Sequence, residues 1–191
     1  MSLAHPLIPV FVAGIGNSGP AHWQAAWHDE MPHGVWVEHE SWDRPVRDAW
    51  VRELDETLRA VEGPKVLVAH SLGCTLVTEW AAEHVDDEVV AALLVAVPDV
   101  GGSEFPAEAR GFEAPRRRRL PFRTIVVTSE NDQFGTPEHA AAVAHELGAE
   151  LVSVGRKGHI NEQSGLGGWS EGKAILDGLL DRRLRDRVDP E

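Results

Sequence analysis

The residues best suited to covalent chemistry lie around Ser71, where the chain reads Ala-His-Ser-Leu-Gly from position 69 to position 73. A β-branched apolar run at 65–69 precedes the serine, and a helix pattern at 72–84 follows it. The small residues Ala69 and Gly73 permit a tight, strained turn that larger side chains would block. A serine on such a strand-to-helix turn is typical of a nucleophile elbow. The alternative is that Ser71 only caps the helix.

A serine hydroxyl is a weak nucleophile, so it needs a base, and the base needs an acid that orients it. The chain order expected for an elbow serine is serine, then acid, then histidine. Asp132 follows a predicted strand at 124–128, and His159 follows another at 151–154. Because parallel strands end at the same edge of a sheet, these side chains are expected to meet there. The sequence therefore predicts a catalytic triad of Ser71, Asp132 and His159.

Two other carboxylates satisfy the same chain order. Asp99 comes just after the strand predicted at 89–97 and is the principal alternative acid, whereas Glu130 is a weaker one. The sequence favours Asp132 because it lies one strand-helix-strand step before His159, but it leaves Asp99 open.

A second motif, Gly-x-Gly-x-x-Gly at 14–19, follows a predicted strand, and Glu38 lies near the end of the next strand. This pattern is typical of a dinucleotide site. Pro20 argues against it, because it stands where the helix of that motif needs its backbone N–H groups. The chain also has no Tyr, which excludes the short-chain dehydrogenases with a catalytic tyrosine. An NAD-dependent oxidoreductase using this loop is the lesser alternative, beside a non-catalytic α/β binding module.

A third motif, Gly-x-Ser-x-Gly at 168–172, lacks the strand that an elbow needs, since a glycine-rich loop precedes it. Too little chain follows to supply an acid and then a histidine. We predict that Ser170 is the N-cap of the last helix.

The elements that must position the triad follow from alternating sequence patterns. Short β-branched runs alternate with helix patterns, which predicts a three-layer α/β fold with a parallel sheet covered by helices on both faces. The predicted strands are 8–13, 35–39, 65–69, 89–97, 124–128 and 151–154, and the predicted helices are 21–31, 46–61, 72–84, 136–147 and 170–187.

The chain of 191 residues is expected to form one domain, 1–191. The connection at 98–121 is rich in proline and glycine and too long for an ordinary turn, so we predict a small lid insertion there. Four consecutive arginines at 116–119 are expected to pair with an acidic surface of the same protein.

Composition excludes several classes of function. A formal charge of −13 argues against a nucleic-acid partner, and no apolar run is long enough to span a membrane. The ten His show no metal-ligand spacing, so no metal is expected. The start, 1–12, is interpreted as a first strand and not as a signal peptide. A single cysteine, Cys74, fits a reducing compartment, and we expect a cytoplasmic location.

These motifs together resemble the α/β-hydrolase superfamily and, within it, the small serine hydrolases similar to YdeN and to retinoblastoma-binding protein 9. The resemblance covers nearly the whole chain. The residues that carry it are Gly14, Ile15, Gly16, Asn17, Ser18, Gly19, Pro20, His22, Trp23, Gln24, Trp27, His70, Ser71, Leu72, Gly73, Asp132, Gly158, His159 and Asn161.

The resemblance implies a compact hydrolase with the triad Ser71, Asp132 and His159 and no cofactor. It also implies that the loop after the first strand forms part of an oxyanion hole, and we expect the strand order 2-1-3-4-5-6. The family's namesake binds retinoblastoma protein through Leu-x-Cys-x-Glu. The corresponding stretch here, 72–76, lacks the acid, so such a partner is not expected.

The expected substrate is a small-molecule acyl ester or a related activated acyl compound. The oxyanion that develops during attack would be bound by the backbone N–H groups of Leu72 and Ile15. His22 and Trp23 are expected either to wall the acyl pocket or simply to pack the first helix. Phe105 is expected to roof the pocket. The predicted lid has few large apolar residues, which favours short acyl groups.

Overall fold

A parallel sheet forms the middle layer of the protein in the computed structural model, which describes residues 6–188, with side chains as far as residue 181. Residues 1–5, part of the segment interpreted above as a first strand, lie outside the described residues. The elements in chain order are β1 (Ile8–Val12), α1 (Trp23–Glu30), β2 (Val35–Trp36), α2 (Arg47–Ala60), β3 (Lys65–His70), α3 (Leu72–Glu83), β4 (Val89–Val95), β5 (Arg123–Thr128), α4 (Pro137–Leu147), β6 (Glu150–Ser153), a one-turn 3-10 helix (Glu162–Ser164) and α5 (Ser170–Val188).

The strand order confirms the predicted topology. The order is β2-β1-β3-β4-β5-β6, and every neighbouring pair is parallel. Because β1 and β3 are neighbours while β2 lies outside them, the direction of winding reverses between β1 and β3. Loops that follow β1 and β3 therefore flank one crevice at the carboxyl edge of the sheet, where open α/β sheets bind ligands.

The side chains of the central strands alternate between the two faces of the sheet and contribute to a hydrophobic core on each face. In β3, Leu67 and Ala69 point to the layer formed by α2, α3 and α4, whereas Val66 and Val68 point to α1 and α5. Successive side chains of a strand alternate between faces, so a strand buried on both faces is apolar throughout. The predicted layers of helices on both sides are confirmed.

The second strand is shorter than the predicted 35–39. It keeps only two residues, Val35 and Trp36, paired with β1 at the sheet edge. Beyond them the Val37 amide still donates to the Phe11 carbonyl, 3.0 Å away. The chain then leaves the sheet because His39 is drawn towards α2, where its ring stacks on Trp50 at a centroid distance of 3.9 Å.

The connection at 98–121 has no helix or strand and is tied to the body of the protein. The Arg110 amide donates to the Pro45 carbonyl and the Arg47 amide donates to the Arg110 carbonyl, both at 2.9 Å. Phe112 is fully buried in the core beside α2. Backbone hydrogen bonds and a buried aromatic side chain thus hold this segment in place.

The arginine run pairs with an acidic surface of the same protein, as expected. Arg116 contacts Glu79 and Glu83, and Arg117 lies 3.7 Å from Glu146. Glu79 is the centre of this group, because its side chain is 2% exposed and also accepts a hydrogen bond of 2.7 Å from Arg47. The Arg116 amide donates to Glu79 Oε1 at 2.5 Å. Burial raises the pKa of Glu79, and the neighbouring Arg47 opposes that shift.

We predict that Glu79→Ala lowers the free energy of unfolding by about 3 kcal/mol, because it leaves two guanidinium groups without their buried acceptor. Glu83→Ala is the matched control on the same helix. Its side chain is 33% exposed, so the expected loss is at most about 1 kcal/mol. Urea unfolding curves measure both losses. Equal losses in the two variants would show that Glu79 is not the central anchor.

Candidate active site

Ser71 lies on a strained turn between β3 and α3. Its φ of 53° and ψ of −125° place it in a region that residues with a Cβ rarely adopt. The turn is held by hydrogen bonds of 2.9 Å from the Ser71 amide to the Val95 carbonyl and from the Cys74 amide to the Ser71 carbonyl. Gly73 is required here, since a Cβ on it would lie 2.2 Å from the Val12 carbonyl oxygen. The turn therefore has the geometry predicted for a nucleophile elbow.

The side chains of Ser71, His159 and Asp132 form one series of hydrogen bonds. Ser71 Oγ lies 2.8 Å from His159 Nε2, and His159 Nδ1 lies 2.9 Å from both carboxylate oxygens of Asp132. A carboxylate can only accept, so Nδ1 carries the hydrogen and Nε2 offers its lone pair to the serine hydroxyl. The structure thus brings together the three residues that the sequence singled out.

The carboxylate that meets His159 is Asp132, not Asp99. Asp132 is buried, and its Oδ1 also accepts a hydrogen bond of 2.9 Å from the Phe134 amide. Asp99 is half-exposed and accepts instead from the Gly101 amide at 3.0 Å. The geometry therefore favours Asp132 as the partner of the base.

The loop that carries His159 is fixed from the loop after β5. The Gly158 amide donates to Asn131 Oδ1 and the Lys157 amide donates to Ser129 Oγ, both at 2.9 Å. These bonds tie the residues just before the histidine to the residues just before Asp132. Sequence reasoning did not single out Asn131 or Ser129, although both are adjacent to the predicted acid in the same loop.

His70 fixes the same loop from the other side. It precedes Ser71 at the end of β3, is 5% exposed, and its Nε2 lies 2.9 Å from the His159 carbonyl oxygen. Because a carbonyl only accepts, His70 donates this hydrogen bond. Burial holds the pKa of His70 well below its ordinary value, with the neighbouring His22 and His159 adding to the shift. His70 is thus a neutral donor that joins the strand of the serine to the loop of the histidine.

His22 lines the pocket and Trp23 does not, which resolves the two alternatives that the sequence left open. His22 is buried, caps α1 by accepting a hydrogen bond of 3.1 Å from the Gln24 amide, and has its pKa lowered to about 4, first by burial and then by His159. Trp23 packs the first helix instead, between Trp27 and Trp169. Of the two alternatives for Trp23, the interpretation as a wall of the pocket was therefore wrong.

The indole of Trp23 supports the site indirectly. Its Nε1 donates a hydrogen bond of 2.8 Å to the carbonyl of Ile160, the residue after His159. Ile160 has a φ of 50° and is fully buried among the tryptophans, which explains how a β-branched residue is kept in a strained conformation. No sequence motif indicated this arrangement.

A cavity of about 280 Å³ opens beside Ser71 and His159. Phe105 lines it, as predicted, and so does Phe134, which the sequence did not single out. The Phe134 ring lies 4.5 Å from the His159 ring, measured between centroids. Both aromatic residues are partly buried, and they give the pocket an apolar wall next to the base.

The two competing motifs do not have the surroundings that their functions need. In the loop at 14–19, the Gly16 amide donates to the Trp42 carbonyl and the Asn17 amide to the Gly14 carbonyl, so two of the N–H groups that a pyrophosphate would need are used. α1 begins only at Trp23. Ser170 is the first residue of α5 rather than its N-cap, and a turn, not a strand, precedes it.

Neither a metal cluster nor a membrane-spanning helix is found in the part of the chain that the structure describes. No three His, Cys, Asp or Glu side chains in that part are grouped so that they could hold a metal ion. No described helix is both long enough and apolar enough to cross a bilayer.

The fold and the elbow define a protein of the α/β-hydrolase class. The chain belongs to the family described as serine hydrolase, which matches residues 9–178. It is similar to a protein described as a YdeN-like hydrolase of Pectobacterium atrosepticum, with 26% identity, a TM-score of 0.79, and coverage of 91% of this chain and 90% of that one.

Two further solved structures share the fold. The ydeN gene product of B. subtilis has a TM-score of 0.76 at 18% identity, covering 92% of this chain and 98% of that one. The type II thioesterase BorB of the borrelidin biosynthetic cluster has a TM-score of 0.64 at 20% identity, covering 92% and 94%. A comparison with curated protein sequences gives no significant match.

Proposed function

We propose that this serine hydrolase cleaves small acyl esters, and related activated acyl bonds, through an acyl-enzyme intermediate on Ser71. The observation that carries the proposal is the series of hydrogen bonds from Ser71 Oγ through His159 to the buried carboxylate of Asp132, set on a turn with positive φ. A non-catalytic binding module would have no need of a strained serine in contact with an oriented imidazole.

In the first half of the proposed reaction, Ser71 Oγ attacks the acyl carbonyl carbon while its proton moves to His159 Nε2. A C–O bond forms, and the carbonyl oxygen becomes an oxyanion. His159 then gives the proton to the alcohol oxygen as its bond to the acyl carbon breaks, which releases the alcohol and leaves the acyl-enzyme. Asp132 stabilises the imidazolium and keeps the ring in the required tautomer.

In the second half, a water molecule takes the place of the alcohol. His159 removes one proton from the water as its oxygen attacks the acyl carbon, and it returns that proton to Ser71 Oγ when the acyl–serine bond breaks. The net reaction consumes one ester and one water and yields one acid and one alcohol. No cofactor takes part in these steps.

The oxyanion is proposed to bind the backbone amides of Leu72 and Ile15. Leu72 opens α3, and the first amides of a helix have no acceptor within it and lie at the positive end of its dipole. The loop after β1 passes close to this amide, because a Cβ on Gly14 would lie 3.3 Å from the Leu72 nitrogen. The Ile15 amide on that loop is therefore well placed to supply the second donor.

The size of the cavity supports a preference for short acyl groups. Its volume of about 280 Å³ lies just below the usual range for small-molecule pockets, which begins at about 300 Å³. Phe105 and Pro106 of the segment 98–121 border it, and that segment is anchored by Phe112 and by Glu79. An acyl chain too long for this volume would have to displace these anchors or extend out of the cavity into solvent.

We predict that kcat/KM for acetyl to butyryl esters exceeds kcat/KM for decanoyl esters. A series of p-nitrophenyl esters of increasing chain length measures this preference. Phe105→Ala is expected to move the optimum towards longer chains, because it removes the aromatic wall. Phe122→Ala is the matched control, a partly buried phenylalanine that packs against the core outside the pocket. A rate that climbs steadily beyond octanoyl in the unmodified protein would contradict the small pocket.

We also propose that the protein works in the cytoplasm on a small-molecule substrate, without a nucleic-acid or membrane partner. The arguments are the net charge of −13 and the single free cysteine, Cys74, which is buried. The stretch 72–76, where a retinoblastoma-binding motif would lie, is buried within α3, and this burial is a further argument for proposing no such partner.

A further inference from the structure

Glu162 gives the pocket a negative charge that the proposed reaction does not use. Among the described residues that line the cavity, it is the only carboxylate, and none of them is a lysine or an arginine. Burial lowers the pKa of His22 and of His70, so neither ring offers a compensating positive charge at neutral pH. A substrate bound in this cavity therefore meets one uncompensated negative charge.

Glu162 is held in place by the turn that follows His159. It begins the one-turn 3-10 helix, whose ends are tied by Asn161: Asn161 Oδ1 accepts from the Gln163 amide, and the Asn161 amide donates to Ser164 Oγ, both at 3.1 Å. The carboxylate rests against Gly19 on the opposite loop, since a Cβ on Gly19 would lie 2.4 Å from Glu162 Oε1. Glu162 therefore closes one end of the pocket between the two loops.

The charge of Glu162 is available to a ligand. The side chain is exposed, and no lysine or arginine whose side chain the structure describes lies within 4.0 Å of its carboxylate oxygens. Two polar groups on the opposite loop are engaged elsewhere: Ser18 Oγ donates to Gln24 at 2.7 Å, and Asn17 Oδ1 accepts from the Ser18 amide. Nothing in the described part of the pocket neutralises Glu162.

The position of Glu162 points to the alcohol portion of the ester. His159 must protonate the departing alcohol oxygen, so the alcohol lies beside His159. Glu162 lines the same cavity three positions further along the chain. We propose that Glu162 selects esters whose alcohol carries a positive charge, as amino alcohols and quaternary ammonium alcohols do, and disfavours anionic ones. This inference rests on the proposed esterase function and names the substrate class of the same site.

Two esters of the same shape test the proposal. Butyrylcholine and 3,3-dimethylbutyl butyrate differ only in that a quaternary nitrogen replaces a carbon. We expect the ratio of their kcat/KM values, cationic over neutral, to fall about fivefold in Glu162→Gln, as for an exposed ion pair of about 1 kcal/mol. It should fall by a similar factor again in Glu162→Lys. Within each variant the neutral ester corrects for any change in the geometry of the loop.

The matched control is Glu56→Gln, which removes the same charge from the exposed side of α2, away from the pocket, and should leave the ratio unchanged. For the unmodified protein the ratio should also decrease as salt is added, because screening weakens the attraction. A ratio that is constant across Glu, Gln and Lys at position 162 would overturn the proposal. Failure of the unmodified protein to hydrolyse either ester would instead overturn the proposed function, and this proposal with it.

Discussion

Ser71→Ala is expected to lower kcat for ester hydrolysis by about 10⁴- to 10⁶-fold, since it removes the atom that forms the acyl-enzyme. The fold should be unaffected, because alanine fits the small volume of the turn and, among the described residues, the hydroxyl is hydrogen-bonded only to His159. Steady-state kinetics with p-nitrophenyl butyrate and a thermal unfolding curve measure the two quantities on the same preparation.

Ser170→Ala is the control for this experiment, because Ser170 lies in the competing Gly-x-Ser-x-Gly motif. That serine begins α5 and does not line the pocket, so activity should stay within twofold of the unmodified protein. Retained hydrolysis by a folded Ser71→Ala variant would remove Ser71 from the mechanism. Loss of hydrolysis in Ser170→Ala alone would move the nucleophile to the second motif.

Asp132→Asn is expected to lower kcat by about 10⁴-fold, because an amide no longer holds the hydrogen on His159 Nδ1 and the ring loses its working tautomer. Asp99→Asn removes the same charge from the rival acid. We expect it to change kcat by less than about threefold, since Asp99 bonds its own turn at Gly101 and not His159. The same ester assay compares the two variants, and the reverse ranking would assign the acid to Asp99.

Sequence patterns were sufficient to predict the sheet and to select the residues of the site. The apolar run that became β3 is buried on both faces, and such a run, followed at once by a helix pattern, is typical of a central strand of a covered sheet. Small residues at 69 and 73 identified the turn, because the approach of Gly73 to the Val12 carbonyl excludes a side chain there. The meeting of Ser71, Asp132 and His159 was expected because each follows a predicted strand, whereas the strand order was expected together with the resemblance to a known family.

Other features depend on contacts between distant parts of the chain, and no local pattern predicts them. β2 ends early because His39 stacks on Trp50, a residue of the next helix. Trp23 supports the loop of His159 from the core because its indole reaches Ile160, 137 positions away. In both cases an aromatic side chain contacts a residue from another element, and the sequence around it does not indicate which residue that is.

The residues that surround His159 were also not predictable from a local sequence pattern. His70 stands in the elbow motif, but its donation to the His159 carbonyl requires the loop after β6 to reach the end of β3, although β4 and β5 lie between these two strands in the sheet. Phe134 and Glu162 lie within three residues of the predicted acid and base, respectively, and still carry no motif of their own. Proximity in sequence to a catalytic residue is therefore the signal that could have suggested them.

The most direct test of the account is to treat the folded protein with a fluorophosphonate probe and to map the modified peptide by mass spectrometry. A fluorophosphonate reacts with a serine that a base has activated. Its reaction with Ser71 therefore tests whether His159, 2.8 Å from the serine oxygen, activates that serine. We predict stoichiometric modification of Ser71, and loss of that modification in Ser71→Ala. Modification of another serine, or no modification of the folded protein, would contradict it.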